Sequence, residues 1–180
     1  IRTDAEKKIM SSPLDYTIIR PTMIYGTERD RNMARLVRAL KRYPVFPVPG
    51  NGQSLQQPIY VDDLAEVILN CVNKKETYRK AYNVSGKEPL TFNEVIDITA
   101  SLLGKKVKKI YIPLRLTLPL VQFYNRVSGN PKIKTEQILR LNEDKAFDHS
   151  DAVRDIGFSP RTFREGISLE IERMKRLVLI

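Results

Sequence analysis

The chain has 180 residues, of which 42% are hydrophobic, so it can bury a core of ordinary domain size, and extensive disorder is excluded. Its formal net charge is +10, but aromatic residues are not interleaved with the basic ones as in an RNA-binding sheet, which argues against a nucleic-acid partner. The single cysteine, Cys71, excludes an internal disulfide, and no apolar run approaches the roughly 18 residues that a membrane span needs. We therefore expect a cytoplasmic protein with no nucleic-acid and no membrane partner.

The apolar pattern predicts strands and helices that alternate along the chain, which is typical of an α/β fold. In chain order, the predicted elements are a helix at 4–11, a strand at 14–21, a helix at 32–43, an extended piece and Gly-Asn-Gly turn at 43–52, a strand at 57–61, a helix to about 73, a strand at 80–86, a helix at 91–104, a strand at 107–113, helices at 114–129 and 135–142, a short helix within 147–160 and a helix at 164–178.

Two of the predicted helices begin with side chains that suit a helix start. Asp62 or Asp63 is predicted to cap the helix that follows the strand at 57–61, and Asp63 with Glu66 has the spacing of a capping box. Thr91 and Glu94 have the same spacing before the next helix. The adjacent carboxylates Asp62 and Asp63 could also act as an acid and a base, but capping is the favoured interpretation.

The residues reveal no self-contained active site. The close glycine pair Gly50 and Gly52 lies in a turn between two strands, not between a strand and a helix, where a dinucleotide-binding glycine motif would lie. One cysteine and one histidine cannot form an ordinary metal cluster, so no metal is expected. His149 is the one candidate for a Ser-His-Asp triad, but no G-x-S-x-G motif accompanies it, so we predict a neighbour of a helix cap.

Four segments in order resemble the extended short-chain dehydrogenase/reductases of the NAD-dependent epimerase/dehydratase family. The family patterns are R-P-x-x-x-Y-G, a strand–helix junction that often reads R-D-x-I-H-V-x-D-L-A, Y-N-[IV]-G-x-G, and a closing D-x-S-K-A-x-x-x-L-G-[WF]-x-P segment. The matching stretches here are LDYTIIRPTMIYG, QQPIYVDDLAEVI, KAYNVSGKEPLTFNEVIDITASLLG and FDHSDAVRDIGFSPRTFREGI.

The resemblance implies a substrate-binding lobe plus the last strands of a Rossmann-type parallel sheet, with residues 1–180 as one C-terminal region. YTIIR and AYNVS would be sheet strands, and VFPV would pair with KIYIP in the lobe. The cofactor, NAD or NADP, would be bound mainly by an N-terminal half that is absent here. Glu6 resembles a glutamate four residues beyond the family's catalytic lysine. This match places Arg2 at the lysine position, so we predict no catalytic residue in this chain.

The resemblance also suggests binding residues. Pro21 and Thr22 match the loop near the nicotinamide end of the cofactor. Gln56 stands where many family members place a diphosphate-binding arginine, although an amide brings no charge. The predicted substrate-binding residues are Arg35, Pro47, Val48, Gln56 and Arg140, with Pro47 and Val48 acting through the backbone that would hold the base.

The resemblance implies a nucleoside-diphosphate-sugar epimerase or dehydratase that uses NAD(P), represented by its substrate-binding half and inactive alone. The alternative is a non-catalytic nucleotide-binding or assembly module of the same fold, similar to a complex I accessory subunit, and Gln56 and Arg2 favour it. The expected partner is a nucleoside-diphosphate sugar. An unpaired edge on the TIIRP strand would also permit a homodimer.

Overall fold

The structure is a computed structural model that describes residues 2–30, 32–72, 74–128, 139 and 142–180, with side chains from residue 4 onward. The helices are α1 (Arg2–Met10), α2 (Met33–Arg42), α3 (Val61–Cys71), α4 (Phe92–Leu102), α5 (Leu114–Val127), α6 (Ser150–Ile156) and α7 (Phe163–Arg176), with a 3-10 turn at Lys75–Thr77. The strands are β1 (Thr17–Pro21), β2 (Ile24–Tyr25), β3 (Val45–Pro49), β4 (Leu55–Gln56), β5 (Ile59–Tyr60), β6 (Lys80–Val84), β7 (Leu90–Thr91) and β8 (Lys108–Ile112).

The strands of the described residues pair two by two, and three of the four pairs are parallel. β1 runs parallel to β6 with Pro21 opposite Val84, and β2 runs parallel to β5. β3 runs parallel to β8, and β4 pairs antiparallel with β7. The predicted pairing of VFPV with KIYIP is therefore confirmed. The strands predicted at YTIIR and AYNVS are also confirmed, except that Tyr16 and Ser85 lie just outside them. These alternating helices and parallel strands confirm the α/β class.

The apolar periodicity of α2 explains why this segment is a helix. Met33, Leu36, Val37 and Leu40 recur at i, i+3, i+4 and i+7, and all four side chains are buried. They face a core cluster to which β2, α4 and α7 also contribute. A second cluster lies between α3, β6 and α6.

Side-chain caps fix the starts of α4 and α7. Thr91 accepts a hydrogen bond from the Glu94 peptide N–H, and the Glu94 carboxylate accepts one from the Thr91 N–H, so the predicted capping box is confirmed. Thr162 and Glu165 form the same box at the start of α7, which the sequence reading did not identify.

The predicted cap of α3 is wrong. Tyr60 occupies the N-cap position without a side-chain cap, and Asp62 and Asp63 lie inside the first turn. The carboxylate of Asp63 is buried and bonds instead to Arg161, far along the chain. Asp63 therefore pairs with the distant Arg161 and does not cap its own helix. The helix predicted at 135–142 falls mostly outside the described residues and stays a prediction.

Candidate functional site

Pro21 and Thr22 lie at the carboxyl end of the β1–β6 pair. The Thr22 peptide N–H donates to the carbonyl of Val84 at 3.0 Å, and its hydroxyl donates to the carbonyl of Gln57 at 2.6 Å. Ligands of open α/β sheets bind outside the carboxyl ends of parallel strands. The structure therefore places these two predicted cofactor-binding residues at the edge where this fold holds ligands, although their binding role stays a prediction.

Gln57 joins this edge to two other segments. Its side-chain nitrogen donates to the carbonyl of Gly86 at 2.8 Å, and its side-chain oxygen accepts from the peptide N–H of Phe147 at 2.8 Å. The Gly86 N–H also approaches the Gln57 carbonyl at 3.3 Å. We call this set of bonds between Thr22, Gln57, Gly86 and Phe147 the Gln57 junction. The sequence reading singled out Gln56 and missed its neighbour, because all three bonded segments are remote in sequence.

Gly86 permits the close approach at the junction. A Cβ atom added there would overlap the carbonyl oxygen of Pro58, which is backbone and cannot swing away. Only glycine therefore lets the turn after β6 press against the chain at 57–58. The glycine at this turn is therefore required by packing.

Gln56 is covered by an extended segment at 143–145. Its side chain is only 2% exposed, and its amide nitrogen lies 3.5 Å from the carbonyl of Glu143. The Leu55 N–H donates to Asp144 Oδ1, and the Lys145 N–H donates to the Leu55 carbonyl, both at 2.8 Å. Gln56 therefore adjoins the segment that follows Arg140, while Arg140 itself lies outside the described residues.

The other predicted substrate-binding residues are spread over β3 and α2. Val48 is fully buried in the core, so its side chain is unable to contact a ligand and only its backbone is available. Pro47 on the same strand is exposed. Arg35 projects from the exposed side of α2, whereas Arg38 is tied to the carbonyl of Glu28 at 2.9 Å. The structure leaves their binding roles as predictions.

The strand–helix junction at 56–65 is built around an ion pair instead of a cap. Arg161 Nε donates to Asp63 Oδ1 at 2.7 Å, and the Arg161 peptide N–H donates to Oδ2 at 3.1 Å. The guanidinium carbon lies 4.4 Å from the centroid of the Tyr60 ring, a cation–π distance. Because its carboxylate is occupied on both oxygens, Asp63 serves to anchor the 159–162 loop to α3 and has no role as a free base.

His149 and Ser85 form a second polar contact near the carboxyl end of β6. His149 Nδ1 and Ser85 Oγ are 2.7 Å apart, and Ser85 Oγ also lies 3.2 Å from the carbonyl of Phe147. A hydroxyl that donates to the carbonyl and accepts from the ring satisfies all three atoms. His149 occupies the N-cap position of α6, although its side chain makes no cap hydrogen bond. This arrangement holds the loop at 147–149 in place.

The described residues contain no group of three or more His, Cys, Asp or Glu side chains that could hold a metal ion. No helix among them is both long and apolar enough to pass through a bilayer. Glu6 forms an ion pair with Arg20 at 2.7 Å. The side chain of Arg2 is not among those that the structure describes.

Comparison with known proteins adds to this geometry. Residues 5–85 match the NAD dependent epimerase/dehydratase family. The UDP-glucose 4-epimerase of Vibrio cholerae is 22% identical over 170 residues, covering 92% of this chain and 49% of that protein. The mitochondrial NADH dehydrogenase (ubiquinone) 1 alpha subcomplex subunit 9 of Arabidopsis thaliana is 27% identical over 110 residues, covering 61% of this chain and 27% of that protein.

A solved structure shares the fold. The crystal structure of a Thermotoga maritima UDP-glucose 4-epimerase with UDP-glucose aligns with a TM-score of 0.72 at 18% identity, covering 98% of this chain and 51% of that one. The described residues thus share the Rossmann-type α/β fold of about half of that structure. The similarity to the NAD dependent epimerase/dehydratase family covers residues 5–85, and the similarity to the Vibrio cholerae epimerase extends over most of the chain. The chain spans about half the length of the epimerase relatives that it matches.

The family implies NAD or NADP, and the described residues fit only part of such a cofactor. Thr22 lies at the ligand-binding edge, and its hydroxyl oxygen can still accept a hydrogen bond. A phosphate-binding glycine turn is not found among them, because the space beside Gly50 is taken by the Asn142 side chain and that beside Gly52 by Asn93. Gly50 and Gly52 therefore make room for the side chains of Asn142 and Asn93 and do not form a phosphate-binding turn.

Proposed function

We propose that the chain is the substrate-side part of a NAD(P)-dependent nucleoside-diphosphate-sugar epimerase or dehydratase. In this proposal residues 1–180 form one C-terminal, substrate-binding region. The dinucleotide cradle and the catalytic tyrosine and lysine come from the part of the relatives that the chain does not span. The names of the epimerase relatives support a sugar nucleotide as the ligand. The cofactor, when bound, would accept and return a hydride at a sugar carbon.

The Gln57 junction is the observation on which this proposal depends. It ties the cofactor edge at Thr22 to the turn at Gly86 and to the segment at 143–147 that covers Gln56. A ligand that lies across this junction would contact the predicted cofactor side and the predicted substrate side together. The residues of this chain would then bind and orient the sugar nucleotide and keep water from it, while the proton and hydride chemistry takes place elsewhere.

A titration of the ¹⁵N-labelled chain with UDP-glucose, UDP-glucuronate and free UDP tests the proposal. We expect the amide signals of Thr22, Val48 and Gln57 to shift, because these backbone groups line the proposed path. Arg35→Ala should weaken the binding about tenfold if this arginine contacts the diphosphate. Arg176→Ala removes the same charge from an exposed position in the last turn of α7 and serves as the matched control. Absence of binding by every sugar nucleotide would refute the proposal.

A second candidate is a non-catalytic nucleotide-binding or assembly module, as the complex I relative suggests. The state of Gln56 favours it, because a buried, uncharged amide covered by 143–145 offers a diphosphate no cation. NADPH titrated into the same sample separates the candidates. Shifts with NADPH but with no sugar nucleotide support the module, whereas shifts with sugar nucleotides support the enzyme part.

A further inference from the structure

Helix α5 presents an apolar stripe to solvent. Leu116, Leu120, Phe123 and Val127 recur at i, i+4, i+7 and i+11, and each side chain is between 59% and 70% exposed. On another side of the helix Thr117 is buried, and its hydroxyl donates at 3.1 Å to the carbonyl of Ile112, at the end of β8. The four exposed side chains leave a large apolar area without a partner among the described residues.

The part of the sequence that contains this helix is basic. Residues 98–135 contain eight Lys and Arg and no Asp or Glu, so they carry +8 of the net charge of +10. Within α5 itself, Arg115 and Arg126 are exposed and lie at the border of the apolar stripe. The Tyr124 side chain, 40% exposed, lies on the other border. Cations and an aromatic ring beside an apolar stripe are typical of helices that lie in the surface of a membrane.

We propose that α5 docks this chain onto a membrane surface that contains anionic lipids. The stripe would enter the boundary between headgroups and acyl chains, and Arg115 and Arg126 would bond lipid phosphates. Peripheral docking of this kind needs no membrane-spanning helix. It replaces the expectation from sequence that there is no membrane partner, and it holds independently of the proposed enzymatic function.

The chain contains a natural control for the role of charge. Helix α3 and its C-cap residue Val72 also expose apolar side chains, with Ile68 and Leu69 on the helix itself. Its exposed surface, however, carries the acidic residues Asp62 and Glu66 and no basic residue. If exposed apolar area alone caused binding, both helices would bind vesicles. If charge selects the surface, only α5 would bind anionic ones.

The absence of tryptophan permits a direct test. Phe123→Trp places a single indole in the α5 stripe, and Leu69→Trp places one at the exposed position on α3. Each variant is mixed with vesicles of phosphatidylcholine alone or mixed with phosphatidylglycerol. We expect a blue shift of the indole emission for Phe123→Trp with the anionic vesicles only, and none for Leu69→Trp. High salt should reduce the shift.

Substitutions in the Phe123→Trp background give the magnitudes. Leu120→Ser should lower vesicle partitioning about tenfold, and Arg115→Ala and Arg126→Ala about fivefold each. Arg176→Ala is the control for charge and should leave partitioning unchanged. All these side chains are exposed, and thermal unfolding by circular dichroism verifies that each variant folds. Three results would overturn the proposal: no shift with anionic vesicles, an equal shift with neutral vesicles, or an indole that is already shifted without lipid and depends on protein concentration, which would indicate a second copy of the chain on the stripe.

Discussion

Replacing Glu170 by glutamine is expected to stabilise the protein, and increasingly so as the pH rises. Glu170 lies on the core side of α7 and is 0% exposed. Neither of its carboxylate oxygens forms a hydrogen bond of standard geometry with another described residue. Burial, with a further contribution from the negative charge of Asp30, raises the pKa of Glu170 from 4.5 to about 8, while the Gly26 peptide and Arg38 oppose the rise.

The sign of the effect follows from proton binding. Between pH 4.5 and about 8 the folded protein keeps a proton on Glu170 that the unfolded chain releases. The free energy of unfolding therefore falls as the pH rises through this window, by up to about 1.4 kcal/mol per pH unit. Glutamine has nearly the same shape and no such ionisation. The advantage of Glu170→Gln over the natural chain should thus grow by about 3 kcal/mol from pH 5 to pH 7.

Urea unfolding followed by circular dichroism at a series of pH values and constant ionic strength measures this difference. Glu172→Gln is the matched control, because Glu172 is exposed on the same helix and its substitution should leave a pH-independent difference. Other groups titrate alike in the natural and variant chains, so their contributions cancel. If the Glu170→Gln difference stayed constant with pH, the pKa of Glu170 would be the same in the folded and unfolded chains, and the reasoning from burial would be wrong.

Three further predictions concern the junctions and the activity. Gly86→Ala should lower the free energy of unfolding by about 2 kcal/mol or more, because the added Cβ overlaps the carbonyl of Pro58. Gly104→Ala should cost only about 1 kcal/mol, because the space beside Gly104 is open although its φ is positive. Equal losses in urea titrations of the two variants would contradict this prediction. Arg161→Met should lower the free energy of unfolding by about 2 kcal/mol, because it leaves the buried Asp63 carboxylate without its cation. Adding Asp63→Leu should recover part of that loss. A double-mutant cycle that shows no coupling between the two positions would exclude the ion pair as the cause. The 180 residues alone should show no epimerase turnover in a coupled NADH assay with UDP-glucose, and measurable turnover would rule out a catalytic site that needs further residues.

Short-range patterns carried most of the fold. The four buried residues of α2 follow from their spacing alone, because a helix brings positions three and four apart to one face. The Thr91–Glu94 box is likewise a local signal, with both partners in one turn. The β3–β8 pairing lies between segments some sixty residues apart, and it was accessible only because the order of segments resembles a known family.

Contacts that depend on the assembled chain were not accessible in this way. Asp63 and Glu66 have the spacing of a capping box, yet Asp63 bonds to Arg161, 98 positions later. The spacing describes what the carboxylate could do in an isolated helix, and the folded chain supplies a charged partner that binds it more strongly. Gln57 illustrates the same limit, because Thr22, Gly86 and Phe147 meet it only after three elements have packed.

The lack of a charge at position 56 has to be considered together with the segment at 143–145 that covers this residue. A side chain that binds a diphosphate at this position must reach solvent, whereas Gln56 is buried beneath 143–145. The neighbouring Leu55 bonds to that segment through both its peptide N–H and its carbonyl. An uncharged amide suits this position, because a charge there would lose its contact with water beneath 143–145. If this chain binds a sugar nucleotide, the diphosphate must find its cation on another element, and Arg35 on the exposed side of α2 is the predicted residue that the structure leaves open to it.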